Sequence, residues 1–440
     1  MAHHLPSGAT DDIAGPGRWT PLRIAVIFIC FVLNAIDGMD IVIMSYIAPE
    51  LKSAWNLSPE ALGTVFSASL AGMALGGLFI APLADRFGRR PLIIALLSVI
   101  TVTMLISSRA TSVTELVILR ALIGVSVGAF LASVTTMAAD FAPPGRQAFV
   151  VAMAISGYAF GAVVTGLTVA HFLPVWGWNG ALTMAGLVSL VTLPLVILIL
   201  PESIDYLSRV QPKNALARLN AIRARLGEAP MAVLPPRVTA QKVSVGTIFA
   251  QGRTLPTLAL WLAIIMGFMT FYFLVSWITQ LSVQSGLAVE NAIYAGALFN
   301  LGGFTGTLVL GTFALRFGLQ GITFTAMVAG AVVVAAFGHL SVSLAVTLFL
   351  AYCAGFTTNG GFNCFYALAA ELYPTEIRST GIGWAMGIGR LGAVIGPLLG
   401  GVLIGQGLSI PNLMMIYAIP LVIAGLAALL VRARQPAPAE

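Results

Sequence analysis

Residues 22–48 read LRIAVIFICFVLNAIDGMDIVIMSYIA, an apolar run with Asp37 and Asp40 near its middle. About 20 apolar residues span a bilayer as a helix, so this run is long enough to cross. A carboxylate at bilayer depth costs roughly 2.5–3.5 kcal/mol on insertion scales, and two therefore mark a functional position. Their spacing of three places both on one side of a helix, with Gly38 between them permitting close approach of a neighbouring backbone.

The rest of the chain is consistent with a membrane setting. Of 440 residues, 58% are hydrophobic and 9% charged, against about 25% charged in a soluble domain. The net charge of +6 does not mark a nucleic-acid binder, because the basic residues fall between apolar runs. Cys30, Cys353 and Cys364 each lie inside such a run and read as small buried hydrophobes. No phosphate loop, metal-ligand spacing or nucleophile elbow appears, so ATP-driven transport, a metal site and an enzyme are all unsupported. The polar first 21 residues lack the pattern of a cleavable signal peptide and read as a tail.

Twelve runs of spanning length follow one another: 22–48, 59–81, 91–108, 113–139, 147–170, 179–200, 257–281, 290–314, 321–340, 343–370, 379–404 and 410–432. The long polar stretch 201–256 divides them six and six, and its residues 212–227 form an amphipathic pattern expected to lie along the membrane surface. With a cytoplasmic N-terminus, eighteen of the 22 Lys and Arg fall in tails or cytoplasmic loops, leaving Lys52 and Arg109 outside and Arg120 and Arg390 within helices. That bias puts both termini in the cytoplasm. The halves also repeat. APLADRFGRR from Ala81 is echoed by GTFALRFGLQ from Gly311, and AADFAP at 138–143 by AAELYP at 369–374. The expected fold is an all-α membrane protein of twelve transmembrane helices in two pseudo-symmetric six-helix bundles. Its divisions are a tail at 1–21, bundles at 22–200 and 257–432, the linker 201–256 and a tail at 433–440.

LADRFGRR at 83–90 resembles the signature loop of the major facilitator superfamily, although Ala81 stands where Gly is usual and Leu315 replaces the Asp in the second copy. Within that superfamily, DGMD at 37–40, ELYPTEIRSTGIGW at 371–384 and GIGRLGAVIGP at 387–397 resemble the aromatic acid:proton symporter family, the transporters of the 4-hydroxybenzoate and protocatechuate type. FLASVTT at 130–136 departs from the MPN-like segment of many relatives. The resemblance implies a monomeric importer of a small aromatic carboxylate in a bacterial inner membrane. It needs no cofactor and draws its energy from a proton gradient. Another organic acid (nicotinate-like or a haloacid), a drug-efflux antiporter and a substrate sensor are the rival readings.

Site expectations follow from cost at depth and from the resemblance. Asp37 and Asp40 are candidate proton carriers. Arg390 is the first candidate for the substrate carboxylate, whose geometry matches a guanidinium fork. Arg120 either shares that task or pairs with Asp37. Asn34, Tyr158, Asn359, Asn363, Tyr366 and Trp384 are candidate pocket residues, a few polar and aromatic groups in apolar helices. Asp85, Arg86, Gly88, Arg89 and Arg90, with Asp140 and Arg146, are assigned by resemblance to a conformational latch at the cytoplasmic rim.

Overall fold

The computed structural model describes residues 19–236, 244–340 and 343–432. The expected tails, apart from residues 19–21, lie outside the described residues, as do Arg237 and Lys242 of the linker. All regular structure among the described residues is helical.

Twelve spans run in chain order: α1 Pro21–Trp55, α2 Pro59–Ile80, α3 Arg89–Ser107, α4 Val113–Asp140, α5 (147–176), α6 (178–199), α7 Thr254–Gln284, α8 Val289–Phe317, α9 Leu319–Leu340, α10 Leu344–Leu372, α11 Arg378–Gly405 and α12 Ile410–Ala428. Helix α5 continues into α6 as the 53-residue stretch Gln147–Ile199, which at 1.5 Å per residue is far too long for one crossing. It breaks at Gly177, whose φ of 64° and ψ of 178° suit glycine alone. Starts are set locally: Ser58, Ser112 and Ser343 each cap a helix by accepting from the backbone N–H three residues on. Helix α10 carries Thr357, Thr358, Asn359 and Asn363 near its centre.

The packing repeats with a shift of six helices. In the first half α1 packs on α5, α2 on α4, and α3 on α4 and α6. In the second α7 packs on α11, α8 on α10, and α9 on α10 and α12. Backbone detail repeats too. Gly88 (φ 102°, ψ 151°) and Gly318 (φ 85°, ψ 139°) turn the chain at equivalent points, ahead of α3 and of α9.

The halves meet through α2 with α11 and α5 with α8, mostly on the face remote from the linker. There a Cβ on Gly401 would stand 2.6 Å from the Pro59 carbonyl, and one on Gly63 2.9 Å from that of Pro397, so only glycine permits the seam. Ser67 Oγ donates to the Val394 carbonyl at 2.8 Å, and Phe66 meets edge-on, at 5.4 Å, the ring of Trp277, which is held to the Pro397 carbonyl of its own half at 3.1 Å. On the second seam the buried Tyr46 hydroxyl of α1 reaches the Ala162 carbonyl at 3.2 Å, while its ring lies against Gly296 of α8. Nearer the linker face, by contrast, Gly383 and Gly387 of α11 look into open space. The cavity between the halves therefore opens toward the linker.

The linker packs on the first bundle rather than lying free along the membrane. Its helix Ala215–Arg225 buries Ala215, Leu219 and Ile222, and Glu228 holds both Arg23 at the foot of α1 (2.9 Å) and Arg223 (3.4 Å).

Candidate functional site

Helix α1 brings both carboxylates into the centre of the molecule, Asp37 at 4% exposure and Asp40 at 2%. They differ in company. Asp40 Oδ1 accepts from Arg120 Nη1 of α4 at 3.0 Å, and Arg120 is fully buried, its Nη2 lying 3.1 Å from Met104 Sδ of α3. Asp37 has no hydrogen bond or ion pair among the described residues, and its Oδ1 is sealed and unsatisfied. Arg120 thus pairs with Asp40 and not with Asp37. A solitary sequence offers no means of choosing between acids three residues apart.

A pocket runs from this pair to the second half, lined by Asp40, Phe66, Ser69 and Arg120 of the first bundle and by Tyr272 and Ser276 of α7. Three of its polar atoms, Asp40 Oδ2, Ser69 Oγ and Arg120 Nε, are buried without partners. Buried polar groups left unpaired are expensive and recur at working sites. Ser69 was not singled out from the sequence, where nothing distinguishes it from other serines in apolar helices.

Across the cavity, Arg390 of α11 is half-buried and makes no hydrogen bond or ion pair among the described residues. It lies within electrostatic reach of Asp37, Tyr272 and Tyr366. Tyr158 of α5 is likewise within reach of Asp37 and Tyr272. Helix α7 adds an aromatic wall: Phe268 stacks on Phe362 of α10 at 4.2 Å and packs against Tyr272 at 5.2 Å, and Phe362 meets Tyr366 edge-on at 6.0 Å.

The remaining pocket candidates divide. Asn359, Asn363 and Tyr366 recur at helical spacing on one face of α10, and Asn363 Nδ2 donates to Thr307 Oγ1 of α8 at 2.8 Å. Asn34 is buried, and its Nδ2 donates to the Cys30 carbonyl of its own helix at 2.8 Å. Trp384 is exposed on α11. It shares a stripe of α11 with the exposed Leu391, Ile395 and Leu398, about 120° round the helix from Arg390. An aromatic residue near an arginine in sequence need not share its face.

The rim residues tie the first half to the start of the linker through a network centred on the buried Arg89. Arg89 binds Asp140 at 2.9 Å, Asp205 at 3.0 Å and Ser203 Oγ at 2.6 Å, while Glu202 Oε1 accepts from the backbone N–H groups of Arg89, Arg90 and Ser203. Arg90 donates to the Ile197 carbonyl at 2.7 Å. Asp85 and Arg86 are exposed, without ion pairs among the described residues, and Arg146 stacks over Trp19. Glu202, Ser203 and Asp205 were not picked out from sequence, though Ser203 with Asp205 is a helix-start signal. The second half has Leu319 where the first has Arg89, so Glu371 lacks the corresponding cation.

Two six-helix bundles repeating each other's packing, with embedded charges of the two halves within electrostatic reach of each other, define a secondary carrier. The chain belongs to the Major Facilitator Superfamily, whose family profile matches residues 28–365 and 343–440. It is 32% identical to a gallate transporter of Pseudomonas putida over 92% of this chain and 90% of that one. It is also 32% identical to the 4-hydroxybenzoate transporter PcaK of Pseudomonas aeruginosa, over 93% of each. Among solved structures, a D-xylose–proton symporter shares the fold with a TM-score of 0.72 at 18% identity, covering 92% of this chain and 97% of that one. It is a transporter and not an enzyme.

Proposed function

We propose that this chain is a proton-coupled symporter that imports a small aromatic carboxylate, such as a hydroxybenzoate, across a bacterial inner membrane. Both termini lie in the cytoplasm, and one chain suffices. One observation carries the reading: two embedded charges of opposite sign and opposite halves, Asp37 and Arg390, lie within electrostatic reach of each other, with neither engaged in an ion pair among the described residues. Similarity to gallate and 4-hydroxybenzoate transporters supports the cargo class.

In this reading the anion's carboxylate takes the Arg390 fork, and its ring lies against Phe268, Tyr272, Phe362 and Tyr366. A proton enters with it onto Asp37. With both charges neutralised, the α2–α11 and α5–α8 seams exchange one open face for the other. On the cytoplasmic side the proton leaves Asp37, and the anion, no longer balanced beside a renewed carboxylate, leaves Arg390. One proton per monovalent anion is electroneutral. Asp40 and Arg120 stay paired throughout as a fixed element of α1–α4 packing. The exposed Asp85 and Arg86, beside the anchored Arg89, Arg90 and Gly88, supply the latch when the linker face closes, with Asp140 and Arg146 fixing the loop to its own half.

The test is accumulation of labelled 4-hydroxybenzoate in proteoliposomes under an imposed inward proton gradient. Accumulation abolished by a protonophore supports the reading; indifference to the gradient contradicts it.

A further inference from the structure

The two asparagines at the middle of α10 hold each other in a fixed and incompletely satisfied arrangement. Thr307 Oγ1 donates its single hydroxyl hydrogen to the Gly303 carbonyl at 2.8 Å, so toward Asn363 it acts only as an acceptor. Asn363 must therefore present its NH2 to Thr307, at 2.8 Å. The same Nδ2 lies 3.1 Å from the Asn359 backbone carbonyl, which accepts and cannot donate. These two partners fix the Asn363 amide, leaving its Oδ1 turned away. Thr307 takes one of the two Nδ2 hydrogens, and the other is shared between the Asn359 backbone carbonyl and Asn359 Oδ1 at 3.2 Å, which turns Asn359 Nδ2 to the side of Gly303 of α8. Among the described residues, Asn363 Oδ1 and Asn359 Nδ2 have no hydrogen-bond partner, and neither is sealed from solvent.

One free acceptor and one free donor, side by side on a rigid support, match a group that both donates and accepts. A phenolic hydroxyl is such a group. The position fits as well. Asn359 lies thirteen residues before the end of α10 at Leu372, and Arg390 twelve after the start of α11 at Arg378. Those ends are joined by a five-residue connection, so at 1.5 Å per residue both side chains stand about 18–20 Å in from the same face. Tyr366, on the same face of α10 as the two asparagines, is within electrostatic reach of Arg390. The aromatic wall of Phe268 and Phe362 is contributed by α7 and by α10 itself.

We infer that Asn359 and Asn363, oriented by Thr307, form a hydroxyl-reading subsite, and that the carried acid is a phenolic carboxylate in preference to its unhydroxylated analogue. This rests on the aromatic-carboxylate reading above. A site built to hydrogen-bond a hydroxyl discriminates strongly against the analogue lacking it, because its polar groups are then left unpaired.

Binding of 4-hydroxybenzoate and of benzoate to the purified full-length protein, each titrated alone, tests the inference. The wild type is expected to prefer 4-hydroxybenzoate at least tenfold. In Asn359→Leu and in Asn363→Leu that preference falls by about tenfold, in line with the loss of one hydrogen bond to a buried hydroxyl. Thr307→Val, which frees the Asn363 amide without touching ligand, gives a smaller fall in the same ratio. A variant that merely packs badly weakens both ligands alike and leaves the ratio where it was; that result overturns the subsite while leaving the carboxylate reading intact. Wild-type protein that binds neither acid overturns both.

Discussion

Asp40 and Arg120 form an ion pair of 3.0 Å whose two side chains are each about 1% exposed, while Asp37, three residues earlier on the same helix, has no ion-pair or hydrogen-bond partner among the described residues. The two acids of α1 thus occupy different electrostatic situations. One is committed to holding α1 against α4, and the other is left available.

Removing one member of the committed pair leaves a buried charge uncompensated, which costs about 3–5 kcal/mol. Arg120→Leu is therefore expected to lower the unfolding temperature sharply, and Asp40→Asn in the same chain to recover much of the loss. Thermal unfolding of the two single variants and the double variant reads this directly. Additive losses would show that the residues act independently.

Arg390 has no ion pair among the described residues to lose, so Arg390→Ala is expected to fold as the parent does. A charge-assisted hydrogen bond is worth roughly 1.5–3 kcal/mol, and its loss predicts a 10- to 100-fold weaker Kd for the acid. Arg390→Lys keeps the charge without the fork and should fall between. Ligand-induced thermal stabilisation measures both; an unchanged Kd in Arg390→Ala would place the carboxylate elsewhere.

The seam at Gly401 leaves no space for a side chain, since a Cβ would stand 2.6 Å from the Pro59 carbonyl. Gly401→Val is expected to hold the face remote from the linker apart, abolishing uptake while raising the reactivity of a cysteine introduced at Ser67 toward a bulky, membrane-impermeant thiol reagent. Uptake at the parental rate would mean that this seam need not close.

Arg89 gathers Asp140, Asp205 and Ser203 around one guanidinium at 7% exposure. Arg89→Ala should loosen the linker from the first bundle, seen as faster proteolysis between residues 202 and 229, an effect that added salt does not mimic because the network is buried. Equal cleavage rates would show that the Glu228 contacts to Arg23 and Arg223 suffice.

Much of the fold was legible because bilayer thickness imposes lengths that composition reveals, and because APLADRFGRR and GTFALRFGLQ announce the repeat that Gly88 and Gly318 display in their backbones. The site was legible in part. Cost at depth singles out Asp37, Asp40, Arg120 and Arg390, but not which acid meets which base, since that depends on the rotation of α1 against α4. Trp384 and Asn34 meet the same limit: residue type identifies pocket chemistry, whereas helix rotation decides which side chains face it. Thr307 carried no signal, being defined by its contact with Asn363 across α8 and α10.

The most direct measurement compares wild type and Asp37→Asn in proteoliposomes, following both net accumulation and exchange of labelled 4-hydroxybenzoate under an inward proton gradient. If Asp37 carries the proton, the variant exchanges the acid across the membrane but does not concentrate it. Gradient-driven accumulation by Asp37→Asn at the wild-type level would contradict the account.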